Sequence, residues 1–235
     1  MKKFLITSAF AFSAFLVTAQ VSEQQKEALL DIYVATQGEN WVNTWDVNQP
    51  VDQWYGVLVK NDKVVSLNLM FNNMVGSLPS SISNLTDLQT LELSFNELNG
   101  EIPAAIGDLN ELKLLALNGN NLTGNIPASL GNVQTLTELH LSSNQLEGQL
   151  PTSLSNLTKL ELLNVFDNKL TGTLPLGLAH SKNLQQIVIA ENEIIDTEGY
   201  ASLLLFKSET EFKNSNPLNP SAKTIIASET SDDEN

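Results

Sequence analysis

From residue 64 onward, the apolar positions of this chain fall into short alternating triplets that return at a fixed interval. Leu67 and Leu69, Leu91 and Leu93, Leu115 and Leu117, Leu139 and Leu141, Leu163 and Val165, and Ile187 and Ile189 each flank a single residue. Alternation at period two marks a strand with one face buried and the other free. The interval is 24 residues, and asparagine keeps it at Asn72, Asn96, Asn120, Asn144, Asn168 and Asn192. Glycine follows at Gly76, Gly100, Gly124, Gly148 and Gly172, and proline at Pro79, Pro103, Pro127, Pro151 and Pro175. A period between about 20 and 50 residues means units that bury their apolar faces only against one another. The pattern predicts a solenoid whose strands, about 4.8 Å apart, line up as a parallel sheet.

The remainder of each unit follows from the stacking. The asparagine lies where the chain leaves the strand between two core positions. There its amide can both donate to and accept from backbone groups of adjoining turns. That makes the column Asn72 to Asn192 a structural ladder rather than an exposed ligand or ice-matching one. The Gly-x-hydrophobic-Pro step, as in Gly100-Glu101-Ile102-Pro103, allows a tight bend and then fixes φ for a short extended or helical piece. A second apolar pair, such as Ile106 and Leu109, closes the far side of the core.

The two ends read differently. Residues 1–19 open on Lys2 and Lys3, continue in an apolar run and end in Val17-Thr18-Ala19, the pattern of a cleaved signal peptide. Residues 20–63 form the expected N-terminal cap. Ser22 with Gln25 resembles a capping box, a helical stripe runs through Ala28, Leu29, Ile32 and Tyr33 to near Gly38, and Trp41, Trp45 and Trp54 follow. The tryptophans are expected to pack over the first turn, with carbohydrate stacking as the alternative for any exposed ring. Residues 64–207 hold six repeats and close on an apolar helix from Tyr200 to Phe206. Residues 208–235 read as an acidic disordered tail.

Composition narrows the function. The 235-residue chain has no cysteine, which removes disulfides and thiolate metal sites. It also has no arginine, and without Lys2 and Lys3 its 10 lysines face 27 acidic residues, a net charge of −17. Nucleic acid is therefore excluded as a partner. After the leader no apolar run reaches membrane-spanning length, so an exported protein, released or held at the cell surface, is expected. The oligomeric state is not written in these features.

Strand side chains pointing away from the core supply the candidate site. Asn68, Glu92, His140 and Asn164 share one column, Met70 and Phe166 another, and Phe71, Phe95 and Asp167 the column before the asparagine. Glu138 and Glu161 lie toward the start of their strands. Phe71, Phe95 and Met70 form an aromatic cluster near the N-terminal end, and Phe166 with Leu162 a smaller one. Exposed aromatics among polar residues are typical recognition anchors, although lateral packing along the stack is an equal alternative for the phenylalanines. The intervening Glu92, Glu138, His140, Glu161 and Asp167 suit a lysine-rich or amide-rich partner.

A catalytic set is not found. There are only two histidines, and His180 falls in a column otherwise filled by Asn84, Asp108, Asn132 and Asn156. An open sheet also lacks the cleft that paired carboxylates need. No catalytic residue, no resident metal and no cofactor is expected, a His140–Glu138–Glu161 metal site being no more than geometrically conceivable.

The segment LTDLQTLELSFNELNGEIPAAIGDL, residues 85–109, resembles the plant-type leucine-rich repeat, and EALLDIYVATQGENW…DQWYGVLV resembles the cap of receptor-kinase ectodomains and polygalacturonase-inhibiting proteins. Asp52 and Val59 stand where the plant cap has a cysteine pair, which favours a bacterial secreted member. The resemblance implies an α/β solenoid: a right-handed superhelix with a parallel sheet on its concave face, an N-terminal helical cap and a short C-terminal helical cap. It implies a non-catalytic module that binds an extracellular protein, peptide or glycan on the concave face. A structural or adhesive spacer acting by self-association is a second role, and inhibition of a secreted hydrolase, from the resemblance alone, a third.

Overall fold

A computed structural model describes residues 21–179 and 181–195 of the chain. The expected signal peptide, His180, the closing helix and the acidic tail lie outside the described residues. The chain opens with helix α1, Glu23–Ala35. The Ser22 hydroxyl accepts the Gln25 N–H at 3.3 Å, which is half of a capping box. The Gln25 side chain turns instead toward the repeats, donating to Asp87 and accepting the Val64 N–H at 3.2 Å.

A hairpin follows, in which β1 (Val57–Lys60) runs antiparallel to β2 (Lys63–Asn68). Thereafter each repeat gives two strands. The first set is β4 (Thr90–Glu92), β6 (Leu114–Ala116), β8 (Glu138–His140), β10 (Leu162–Asn164) and β12 (Gln186–Val188). These stack in parallel on β2 in strict 24-residue register, so Leu67, Leu91 and Leu115 form one buried line. Because β1 pairs with β2, the sheet has seven strands, one more than the periodicity predicts.

The second set was not legible as strands. β3 (Val75–Gly76), β5 (Glu97–Glu101), β7 (Asn121–Asn125), β9 (Gln145–Gln149), β11 (Lys169–Gly172) and β13 (Glu193–Ile194) form a further parallel sheet. Glycine within or at the end of most of these strands obscures the pattern. Gly76 shows why that residue is needed: it lies at φ +133°, and a Cβ there would sit 2.1 Å from the Ala35 carbonyl oxygen at the end of α1. After each proline the chain makes a single 3-10 turn, at Ser80–Asn84, Ala104–Asp108, Ala128–Asn132 and Thr152–Asn156, and last a four-residue helix α2, Leu176–Ala179.

Between these layers runs one continuous core, from Ala28 and Leu29 of α1 to Ile187 and Ile189. The asparagines seal it. Asn96 donates its side-chain amide to the Leu69 and Leu93 carbonyls at 2.9 Å each, and its Oδ1 accepts the N–H of Asn72 and Met74. Asn120, Asn144, Asn168 and Asn192 repeat the donor bonds to carbonyls 27 and 3 residues back. Each clamps its own turn to the one before, pairing polar groups that burial would otherwise leave costly.

Candidate functional site: the open face of the long sheet

Three aromatic residues that sequence alone leaves ambiguous are settled by burial. Trp41, Trp45 and Trp54 are each no more than 5% exposed. Their indole N–H groups donate to the carbonyls of Thr36, Tyr55 and Gln49 at 2.9, 2.8 and 3.0 Å. Trp45 stacks on Trp54 and meets Trp41 edge-on, with Tyr33 beside them. The carbohydrate-stacking alternative for these rings is thereby overturned: they are core.

On the face of the long sheet turned away from the core, the phenylalanines stand out. Phe71 and Phe95 are 61% and 47% exposed, and their rings stack with centroids 4.6 Å apart and planes 3° from parallel. The rings therefore pack laterally along the stack and remain exposed as they do so. Both sit at positive φ, +54° and +56°, a region that bulky residues rarely occupy. The whole column shares this bend, as Gly119, Ser143, Asp167 and Glu191 also lie between +51° and +66°. Glycine, serine and aspartate meet that demand at lower cost, so the fold itself does not call for phenylalanine. Strain of order 1 kcal/mol at each residue, about 2 kcal/mol for the two, exceeds the ~0.5–1.5 kcal/mol that the one ring pair returns.

Gly119 shows how the pair is seated. A Cβ there would approach Phe95 Cδ1 to 2.7 Å, so the missing side chain makes room for the ring. Met70, next to Phe71 in the chain, is half-buried, and Leu58 of β1 is exposed on the strand before the first repeat, at the opposite end of its rung from Phe71. Leu58 pairs with Ser66, and no repeat position in the sequence could have pointed to it. Phe166 is exposed on a later rung, and Leu162 is half-buried.

The polar candidates hold ordered positions along the sheet. Register places Asn68, Glu92, Ala116, His140, Asn164 and Val188 side by side. Asn68, Glu92 and Asn164 each accept the N–H of the residue two further on, at 3.4, 3.0 and 3.1 Å. The Glu138 carboxylate meets His140 Nε2 at 3.0 Å. Glu161 and Asp167 are exposed. Among the described residues no group of three or more His, Asp or Glu side chains is placed to hold a metal ion, so Glu161 does not join the His140–Glu138 pair. Two positions that point outward by strand alternation are covered all the same. Ala116 is 2% exposed beneath its larger neighbours, and Ser94 is 3% exposed, its hydroxyl bonded to the Asn118 amide oxygen at 2.6 Å.

Among the outward strand positions Glu92, Glu138, Glu161, Asp167 and Glu191 are acidic, and one lysine, Lys113, stands in the column of Glu161. The open face therefore couples an apolar end to a negatively charged middle. No helix of the described residues is long and apolar enough to cross a membrane.

Comparisons with solved structures agree with this architecture. The crystal structure of PEPR1-AtPEP1 matches over 72% of this chain and 25% of its own, at 28% identity and a TM-score of 0.67. The leucine-rich-repeat ectodomain of the receptor kinase SOBIR1 from Arabidopsis thaliana matches over 75% of this chain and 98% of its own, at 26% identity and a TM-score of 0.66. The plant peptide hormone receptor RGFR1, in complex with RGF2, matches over 61% of this chain and 27% of its own, at 32% identity and a TM-score of 0.55. The chain thus spans about a quarter of two of these proteins and nearly all of the third. A search of the curated proteins finds no match. A family model described as a leucine-rich repeat region matches residues 65–211. With that match added to its stacked parallel sheets and asparagine ladder, the chain belongs to the leucine-rich repeat family.

Proposed function

We propose that this protein is an exported, non-catalytic binding module whose open sheet face recognises an extracellular protein or peptide. The observation that carries the reading is the Phe71–Phe95 stack. Two half-exposed rings are held in a backbone conformation that costs stability, on a sheet face that nothing else in the described chain covers. Strain retained at an exposed site is commonly functional, and large aromatics are frequent interface anchors. The leader-like composition of residues 1–19 supports export, and the resemblance to a peptide hormone receptor supports a peptide or protein partner. The binding residues are Phe71, Phe95, Met70 and Asn68 at one end, with Glu92, Glu138, His140, Glu161, Asn164, Phe166 and Asp167 along the sheet.

The test is affinity capture with the immobilised full chain from extracellular extracts, run beside a triple variant, Phe71→Gly, Phe95→Gly and Phe166→Ser. A partner retained by the native chain and released from the variant supports the reading. A partner held equally by both places recognition elsewhere.

A further inference from the structure

We infer that the open face takes an extended peptide in which an apolar side chain lies about three residues from a lysine or arginine, and that it does not take a glycan. This rests on the open face being the binding surface and specifies the chemistry of what it binds.

Ring geometry argues against the glycan. A sugar stacks its C–H face on the electron-rich face of an aromatic ring. Phe71 and Phe95 are 24 residues apart on adjacent rungs, and their rings are parallel at 4.6 Å, so the ring faces look along the solenoid axis. One face of Phe95 is covered by Phe71, and the other lies against Gly119. The stack thus withdraws both faces of Phe95 and one face of Phe71, and across the sheet it presents ring edges, which suit an aliphatic or aromatic side chain. The tryptophans offer no alternative platform, since all three are buried.

Charge then selects among peptides. The apolar end, Met70, Phe71 and Phe95, lies beside a stretch whose formal charges are Glu92, Glu138, Glu161, Asp167 and Glu191 against one lysine, Lys113. Glu92 lies on the same rung as Phe95, three residues earlier. That separation is roughly 10 Å, about three residues of an extended chain. Glu92 and Glu138 are already oriented, one by the Ser94 N–H at 3.0 Å and the other by His140 at 3.0 Å. Between their rungs Ala116 contributes only a covered methyl, leaving a low point in the surface. A cationic side chain arriving there gains charge-assisted hydrogen bonds, whereas an acidic one is repelled.

The experiment is selection of random linear peptides displayed on phage against the full chain, with a glycan array probed in parallel. Two variants accompany it: Phe71→Gly with Phe95→Gly, and Glu92→Gln with Glu138→Gln, which retains acceptors for Ser94 and His140. Thermal melts verify that both remain folded. The expected result is a selected consensus with an apolar residue and a nearby lysine or arginine, at least about tenfold weaker on each variant, and no glycan bound. An acidic or uncharged consensus that still needs the phenylalanines overturns this inference while leaving the open face as the binding surface. So does a glycan whose retention needs them. A consensus that binds every variant equally, or no enrichment over bare support, overturns both.

Discussion

The backbone N–H of Asn43 donates to Asn72 Oδ1 at 2.8 Å, the same bond that Asn72 gives to Asn96 Oδ1 at 2.9 Å. Asn43 therefore supplies a rung ahead of the first repeat, although it lies 29 residues from Asn72 and breaks the 24-residue beat. Through this bond, and the Val42 N–H given to the Asn72 carbonyl at 3.0 Å, the segment before the repeats is tied in at the edge where Phe71 is displayed. The aromatic end of the open face is thus held in place by the asparagine ladder itself.

That ladder is not uniform, and its members should differ in worth. Asn96 pairs buried groups on two turns, whereas the side-chain amide nitrogen of Asn72 is buried without a hydrogen-bond partner. Asn96→Ala leaves several buried groups unpaired and is expected to cost about 3–5 kcal/mol, against about 1–2 kcal/mol for Asn72→Ala. Urea denaturation of the two variants measures the difference. Equal losses would mean that the ladder bonds do not carry the stability assigned to them.

Phe71→Gly with Phe95→Gly is expected to leave stability within about 1 kcal/mol of the native chain. Lost ring stacking is offset by relief of two strained positive-φ residues. By contrast Leu91→Ala, at a fully buried position on the rung of Phe95, is expected to cost about 3–5 kcal/mol. Calorimetry on both tests whether the rings are a surface feature or part of the core. A large loss from the double variant would make them structural.

Gly119→Ala is expected to act on Phe95 rather than locally. Its methyl would fall 2.7 Å from Cδ1, and the ring must tilt out of the stack. Near-ultraviolet circular dichroism would register a change at the phenylalanine bands, with destabilisation of about 1–2 kcal/mol from the positive φ. An unchanged spectrum would mean that the ring does not rest where the geometry puts it.

Trp45→Phe removes the donor to the Tyr55 carbonyl and narrows a ring packed between Trp41, Trp54 and Tyr33. A loss of about 2–3 kcal/mol is expected, with no effect on carbohydrate binding. A variant that changed glycan retention would return the tryptophans to a binding role.

Period and residue type made the first sheet legible, because Leu91 and Leu93 alternate and Asn96 recurs. They could not reveal the second sheet, whose strands are short and interrupted by residues such as Gly100 at φ +74°. The strand β1 and the rung at Asn43 were equally hidden, because the hairpin and the 29-residue spacing lie outside the repeat. For the site, the columns were readable from strand alternation, so Phe71, Phe95, Glu92 and His140 appear on the face expected. What escaped was how neighbours cover one another: Ala116 and Ser94 are outward by register yet buried by the side chains around them. The stacking of Phe71 on Phe95, and the glycine that seats it, are likewise products of adjacent rungs rather than of local sequence.

The most direct measurement is the dissociation constant of one selected ligand for three forms of the full chain: native, Phe71→Gly with Phe95→Gly, and Thr123→Lys. Thr123 is exposed on β7 of the second sheet, away from the open face. Loss of about 30-fold or more in the phenylalanine variant, with less than about twofold change for Thr123→Lys, is the expected result. An unchanged constant in the phenylalanine variant, or a larger loss at Thr123, would contradict recognition by the open face.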